Sequence, residues 1–268
     1  MPRVSVLMGV LNCASTLEEA LDSLYAQTYL DFKIILCEDG STDNTYAVAK
    51  QYAEKHNNIV LIRNENNKGL NYTLNRCLEY ADTEYCARMD GDDISMPTRF
   101  EKEVAFLDTH QEYAIVSSPM IHFDDKGDYG RGKGGYEPKR EDIIYGPPFC
   151  HAPCMIRTIA YKTVGGYTID PKLLRYEDYN LWMKMYQHNY RGFILEECLY
   201  KMRDDRNASR RRGIRARLNG IYAHYLAYKT LHLSLLGLIR YTIRVLIAGL
   251  IPVPFYERIH RKKLSAAE

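Results

Sequence analysis

A single tryptophan stands among 268 residues, and the seven cysteines include no CxxC pair. Cys13, Cys37, Cys77, Cys86, Cys150, Cys154 and Cys198 are an odd set without a framework, several of them inside apolar runs. That pattern excludes a fold built on disulfides and points to a reducing compartment. Cys150-His151 with Cys154 lacks a fourth ligand at finger-like spacing, which argues against a structural zinc. Net charge is only +2, from 36 basic and 34 acidic residues. A nucleic-acid binder working by bulk electrostatics is therefore not expected. The first strand-like run ends Gly9-Val10-Leu11-Asn12-Cys13, without the GxGxxG of a dinucleotide oxidoreductase. A sugar nucleotidyltransferase would want a glycine-rich, arginine-bearing loop near the amino terminus, and none is found. No internal repeat is visible. Met1-Pro2-Arg3 leads straight into that first run, with no secretory signal, so a cytoplasmic location is expected.

What is present suits an ordinary packed domain. Hydrophobic residues make up 46% of the chain and charged residues 26%, enough for one large α/β domain with a modest appendage. Tyrosine is abundant, with 23 residues. It suits stacking on bases and sugars, and equally the rim of a core. Val4 to Val10 is an apolar run of strand length. Ser15-Thr16-Leu17-Glu18 has the spacing of a capping box, and Leu17, Ala20, Leu21, Leu24 and Tyr25 share one helical face. Lys33 to Cys37, Ile59 to Arg63 and Tyr85 to Met89 read as further strands. Helices are expected over about 43–55, 70–81 and 97–110, with Pro97 at a helix start. The stretch 124–140 is rich in Gly, Lys and Asp and reads as a mobile loop or surface excursion. Gly165-Gly166 marks a turn, and Tyr176-Glu177-Asp178 opens a helix carrying Leu181, Trp182 and Met185.

Strands alternating with helices predict βαβ units, a parallel sheet, and ligand binding at the carboxyl ends of its strands. Asn12, Asp39 and Asp90 fall at those ends. Asp90-Gly91-Asp92-Asp93 places three carboxylates in four residues around a glycine. Such a turn suits a hard divalent cation that keeps its waters and takes further oxygens from a diphosphate; the plain alternative is a solvated acidic turn.

These motifs, taken in order, resemble glycosyltransferase family 2, inverting enzymes of the GT-A fold. The resemblance covers about residues 4–203. Val6 to Asn12 is similar to the family's opening strand, and Glu38 to Asp43 to its nucleotide-binding turn. Asn67-Lys68-Gly69-Leu70 with Leu74-Asn75 resembles the next element. Ala87 to Asp93 with Pro97 and Arg99 resembles the metal motif, and Glu177-Asp178 ahead of Trp182 the catalytic acidic pair. Two departures stand out. Gly9-Val10-Leu11-Asn12 replaces the usual Pro-Val-Tyr-Asn, which removes an aromatic from position 11. The Gln-x-x-Arg-Trp element of polymerising members is absent, so single addition is expected rather than processive synthesis.

The resemblance implies a GT-A fold with a mostly parallel central sheet flanked by helices and a C-terminal amphipathic helical extension. It implies a catalytic domain over 1–205, with a nucleotide-sugar half (1–110), an acceptor-side half (111–205) and a basic C-terminal segment (206–268). The implied reaction moves a hexosyl or N-acetylhexosaminyl group, with inversion, from a nucleotide diphosphate sugar to an acceptor hydroxyl. Asp39 would accept from uracil N3–H, which favours a UDP-sugar. Val10, Asn12 and Glu18 would line the base and ribose pocket, and Lys68 would sit beside the base or diphosphate. Asp90 would reach the ribose or a metal water, and Asp92 would bind Mn²⁺ or Mg²⁺ directly. Arg88, Asp93, His151, Glu177 and Arg203 are candidates for donor-sugar or diphosphate contacts. Asp178 would be the base, with Glu177 as competitor for that role. A hydrogen-bonded structural role for His151, and a solvated charge run for Arg203 with Arg206 to Arg212, stand beside the functional readings. An inactive nucleotide-sugar-binding scaffold is the rival to an enzyme.

Beyond about residue 213, arginines precede a helix-like stretch, and Leu231 to Phe255 is strongly apolar but interrupted by Arg240 and Arg244. Two arginines four apart share a helix face. The segment is therefore expected to lie on an anionic inner leaflet rather than span it, with a lipid-linked glycan as acceptor in cell-surface polysaccharide synthesis. The alternative is a helix pair packed on the catalytic domain or on another subunit. Pro252 and Pro254 are expected to end it. A homo-oligomer is left open.

Overall fold

The computed structural model describes residues 2–204 and 214–250, with side chains through residue 247. Short apolar runs become strands buried on both faces. β1 (Val4–Val10), β2 (Phe32–Glu38), β3 (Ile59–Arg63) and β4 (Tyr85–Met89) are linked by α1 (Leu17–Tyr25), α2 (Thr45–Lys55) and α3 (Leu70–Glu79). β1 pairs in parallel with both β2 and β4, Val4 lying opposite Phe32 and Tyr85. After β4 come β5 (Ile94–Ser95), α4 (Arg99–Thr109), β6 (Ile115–Ser117), β7 (Met120–Asp124), β8 (Gly127–Arg131), a 3-10 turn (Arg140–Tyr145), β9 (Met155–Arg157) and α5 (Thr158–Thr163). A second 3-10 turn (Pro171–Leu173) precedes α6 (Glu177–Gln187), β10 (Gly192–Ile194), β11 (Tyr200–Arg203), α7 (Ile214–Leu231) and α8 (Leu235–Leu250).

Seven strands form the main sheet in the order β10-β6-β9-β4-β1-β2-β3, with β9 antiparallel to both its neighbours. Alternation along each strand divides the core between two faces. Val6, Met8, Ile34 and Leu36 pack with Leu17, Leu21 and Phe100 on one side; Leu7, Ile35, Cys37 and Cys86 pack with Cys77, Tyr161 and Trp182 on the other. The four fully buried thiols, Cys37, Cys77, Cys86 and Cys154, act as small hydrophobes, and all seven cysteines are free. A smaller sheet, β5-β11-β7-β8, stands beside the main one. The two-residue β5 follows Asp93 at once and pairs with β11, so β11 is drawn to the acidic turn.

Four local expectations are corrected. The capping box read at Ser15 to Glu18 is not formed: α1 starts at Leu17, and the Thr16 hydroxyl before it donates to the carbonyls of Cys13 (3.2 Å) and Gly91 (2.9 Å), tying α1 to the acidic turn. Pro97 lies outside α4, two residues before its first turn, where its carbonyl accepts from Thr28 N–H at 2.8 Å. Residues 124–140 are no featureless loop. β8 closes a hairpin with β7 through a bulge at His122 and Phe123, and a 3-10 turn follows from Arg140. The C-terminal stretch breaks into two helices, His232 adopting φ +54° between them. α7 packs on α6 and on both 3-10 turns, and α8 packs on α7 and on the first 3-10 turn. Pro252, Pro254 and the run Arg206 to Arg212 lie outside the described residues.

Candidate active site at the carboxyl edge of the sheet

One end of the candidate site is built from the loops after β1 and β2. Asp39, buried, is held on three sides. Its Oδ1 accepts from Asn64 Nδ2 (2.7 Å) and the Lys68 N–H (2.9 Å), and its Oδ2 from the Gly69 N–H (3.0 Å). A carboxylate has about four lone-pair sites, so this one is preorganised with acceptor capacity left. Gly40 adopts φ +70°, and a Cβ there would lie 2.5 Å from Asn66 backbone, so the turn requires glycine. Asn12, in the left-handed region at φ +50°, accepts from Thr42 N–H at 2.9 Å and receives Ser41 Oγ on its own N–H at 3.0 Å. Asp43 joins the same knot through Ala14 N–H (3.1 Å) and Thr45 N–H (2.9 Å). Val10 is buried and its carbonyl accepts from Asp39 N–H at 2.9 Å. Lys68 contributes only its backbone here, its side chain being exposed; Glu18 is likewise exposed on α1.

The acidic turn packs directly on that knot. A Cβ at Gly91 would fall 2.8 Å from Cys13 Sγ and 3.0 Å from Val10 Cγ1. Behind it, Arg99 and Glu103 form an ion pair at 3.2 Å with both side chains fully buried, while Arg99 Nη2 also donates to the carbonyls of Arg88, Ala152 and Cys154. Burial lifts the Glu103 carboxyl to about 7 against the pull of Arg99. Tyr200, fully buried, accepts the Asp90 N–H on its hydroxyl at 3.2 Å. Asp93 is buried and accepts the Arg203 N–H at 2.8 Å; burial and the charges of Asp90 and Asp92 hold its carboxyl well above the usual range. Asp92 is raised by the same causes, burial first and then Asp90. Arg203 Nε donates to the Asp92 carbonyl at 2.9 Å and its Nη2 pairs with Glu19, so the guanidinium braces the turn against α1.

Arg88 links this end to the other. Its side chain is 1% exposed, pairs with Asp90 and donates to the Leu7 carbonyl at 3.3 Å. Its charge is felt by His151, Glu177 and Asp178. Those three residues form the far end. Burial, and then Arg88, push the His151 imidazole well below 6.5, so it is neutral; its Nε2 meets Tyr167 Oη at 2.7 Å, and Tyr167 Oη meets Tyr161 Oη at 3.0 Å. Asp178 sits in the first turn of α6, its Oδ1 accepting the Tyr179 N–H at 2.7 Å. Burial pushes its carboxyl up to about 6 although that N–H favours the charged form, and Glu177 adds to the rise. Glu177 is raised by burial too, and its Oε2 is buried without a partner among the described residues.

The chain belongs to glycosyltransferase family 2. The family's sequence profile, described as Glycosyl transferase family 2, matches residues 5–164. EpsE of Bacillus subtilis, which carries the name of a glycosyltransferase, is 40% identical over 98% of this chain and 95% of its own length. A UDP-Gal:alpha-D-GlcNAc-diphosphoundecaprenol beta-1,3-galactosyltransferase of Escherichia coli is 30% identical over 97% of this chain and 96% of its own. Among solved structures, the mannosyltransferase PcManGT of Pyrobaculum calidifontis, in complex with GDP-Man and Mn²⁺, superposes with a TM-score of 0.65 over 99% of this chain and 83% of its own, at 19% identity. The fold of this family 2 member is therefore GT-A.

Within that fold the acidic turn fits a hard cation. Among the described residues no three His, Cys, Asp or Glu side chains gather to hold a metal, which also removes Cys150, His151 and Cys154 as a cluster. A magnesium-like ion needs only one or two carboxylates when a diphosphate supplies the rest. Asp92, destabilised as a bare anion by burial and by Asp90, is the carboxylate such a charge would relieve. A surface depression of about 540 Å³, lined by Glu137, Pro138, Lys139, Tyr186 and Arg191 among others, contains none of the site residues. Sequence reasoning missed Tyr200, Tyr167, Asn64 and Glu19 as parts of the site. Only Asn64, at the end of a strand facing Asp39, had a local signal.

Proposed function

We propose that this family 2 enzyme transfers a hexosyl or N-acetylhexosaminyl group from a UDP-sugar to a hydroxyl of a lipid-linked glycan, with inversion. The setting is the cytoplasmic face of the cell membrane, during cell-surface polysaccharide assembly. The single observation that carries the chemistry is Asp178: a carboxyl raised to about 6, on the first turn of a helix, electrostatically joined through Arg88 to the acidic turn of Asp90 and Asp92. A base poised near operating pH is what removal of an acceptor proton requires. The E. coli relative's UDP donor and diphosphoundecaprenol-linked acceptor, and the Mn²⁺ beside GDP-Man in PcManGT, support the donor, acceptor and metal assignments.

In this reading residues 1–110 bind the nucleotide sugar, 111–205 face the acceptor, and 206–268 attach the protein peripherally to the membrane. Asp39, fixed by Asn64 and two backbone N–H groups, accepts the uracil N3–H with Val10, Asn12 and Glu18 around the base and ribose. Lys68 stands beside them. Asp92, with Asp90 behind it, holds Mn²⁺ or Mg²⁺, which when bound offsets the charge that builds on the departing UDP. Asp93 and Arg203 keep the turn in place, while neutral His151 and Glu177 border the donor sugar. Asp178 takes the acceptor proton as its oxygen attacks the anomeric carbon from the side opposite the UDP. A single displacement inverts configuration and needs no protein nucleophile.

The deciding experiment is a donor screen with Mn²⁺ or Mg²⁺ and a GlcNAc-diphosphoundecaprenol acceptor, read as UDP release. Metal-dependent turnover of one UDP-sugar, lost in Asp92→Ala and in Asp178→Ala, is expected. Metal-independent UDP binding without turnover on any acceptor would leave the inactive scaffold as the better account.

A further inference from the structure

We propose that the outward face of α8 is the surface on which this protein docks, lying flat on an anionic lipid bilayer. The idea rests on the reading above for the presence of a bilayer, and it names which side chains enter it. At about 100° of rotation per residue, Leu235, Leu236, Ile239, Ile243, Leu246 and Ile247 fall within a sector of about 120°. All six are between 45% and 60% exposed. Arg240 and Arg244, also exposed, lie along one edge of that sector. The opposite side faces protein: Gly237 packs against Ile144, and Tyr241 stacks on His224 with ring centroids 3.3 Å apart. α8 thus has an inner face used by the fold, an outer face that is wholly aliphatic, and a cationic border between them.

No helix of the described residues is long and apolar enough to cross a membrane. A second copy of the chain fits poorly. Residues 214–250 carry Arg215, Arg217, Lys229, Arg240 and Arg244 and no Asp or Glu. Self-packing through this face would bring the arginine borders together with no carboxylate from either helix. The six exposed side chains also include none of the aromatic anchors that dominate protein interfaces. An anionic headgroup layer satisfies both features at once, taking aliphatic side chains into the acyl boundary and guanidinium groups at the level of the phosphates.

Docking in this way has a consequence for the reaction. Tyr241 stacks on His224, and His224 on Tyr179 at 4.3 Å, one residue past Asp178 on α6. A docked α8 therefore holds the helix bearing the base at a set height above the lipid, where the hydroxyl of a lipid-linked acceptor would be presented.

The test is flotation of the full chain with phosphatidylglycerol/phosphatidylcholine vesicles and with pure phosphatidylcholine vesicles. UDP binding and light scattering run on the same samples. We expect the protein to float with the anionic vesicles and Ile239→Asp/Ile243→Asp to bind them at least tenfold less. Arg240→Gln/Arg244→Gln should lose the preference for anionic lipid and most of its salt dependence. UDP binding should be unchanged in both variants. Absence of vesicle binding by the native chain, or binding unaffected by the aspartate pair, overturns the proposal. So does a native dimer that the aspartate pair turns into a monomer, which would give the face to a second copy. Vesicle binding that persists while no nucleotide binds would instead sink the transferase reading and leave the docking face standing.

Discussion

Asp178 is half-buried at the start of a helix, a place where the N-terminal dipole ordinarily favours a carboxylate. Its carboxyl is nonetheless pushed up to about 6, because burial and the adjacent Glu177 outweigh the Tyr179 N–H. A base must be ionised to act, so kcat/KM for the acceptor should fall about tenfold per pH unit below about pH 6. A profile flat down to pH 5 would remove Asp178 as the titrating base. Stability should run the other way. The folded carboxyl stands above its unfolded value, so ionising it costs folding free energy above about pH 6, and that cost disappears as pH falls below the unfolded value. Asp178→Asn should therefore lower kcat by about 10²–10⁴-fold. At pH 7 the same variant should gain about 1 kcal/mol of stability in urea titration, with UDP affinity unchanged. A variant that loses both activity and stability would assign Asp178 to the fold instead.

At the scale of elements, the acidic turn is held less by its own residues than by what packs around it. Thr16 from before α1, Tyr200 and Arg203 from β11, and Arg88 from β4 all bond to it. Its one glycine is there for space rather than for a left-handed backbone, since a Cβ at Gly91 would press on Cys13 and Val10. Gly91→Ala should cost about 1–3 kcal/mol by overpacking. It should also raise the KM for the nucleotide sugar, as the turn is pushed off the base pocket. Cys13→Ala in the same chain should recover part of both losses, because it removes the nearer of the two contacts. No recovery would mean that the Val10 contact, or the backbone itself, sets the limit.

At the scale of the whole molecule, α7 joins the core around Trp182, and α8 packs on α7 and the first 3-10 turn. Ala223, Ala227 and Leu231 of α7 join the cluster around Trp182, and Asn219 Nδ2 donates to the carbonyls of Pro171 (3.4 Å) and Leu174 (3.3 Å). His224, sandwiched between Tyr179 and Tyr241, is held near 4 by burial and is neutral at any working pH. Tyr241→Ala would empty one side of this stack. We expect a loss of about 3 kcal/mol in urea denaturation and a several-fold fall in kcat with nucleotide KM unchanged, since α6 carries Asp178, the proposed base, and none of the residues proposed to bind the nucleotide. A KM effect equal to the kcat effect would show that the stack supports the whole site uniformly.

Much of this was legible without coordinates, for a physical reason. β1 to β4 and the helices between them are set by local periodicity, and a parallel sheet places their strand ends on one edge. Asp39, Asp90 and Asp92 stood out for that reason, as carboxylates at predicted strand ends, whereas Asp178 was singled out by its resemblance to the family's catalytic acidic pair. Other features needed the tertiary structure, because their partners are far apart in sequence. Arg203 lies about 110 positions from the acidic turn and was read as a diphosphate contact or part of a solvated charge run; the pairing of β5 with β11 is what sets its guanidinium against that turn. Ser15 to Glu18 looked like a capping box because spacing alone cannot reveal that the helix starts one residue later and that Thr16 bonds a carbonyl 75 residues away. The basic, apolar tail read as membrane-facing, with packing on protein as the alternative. Only the packing of α8 on α7 and the first 3-10 turn shows that its inner face is buried in the protein and its aliphatic outer face is left exposed.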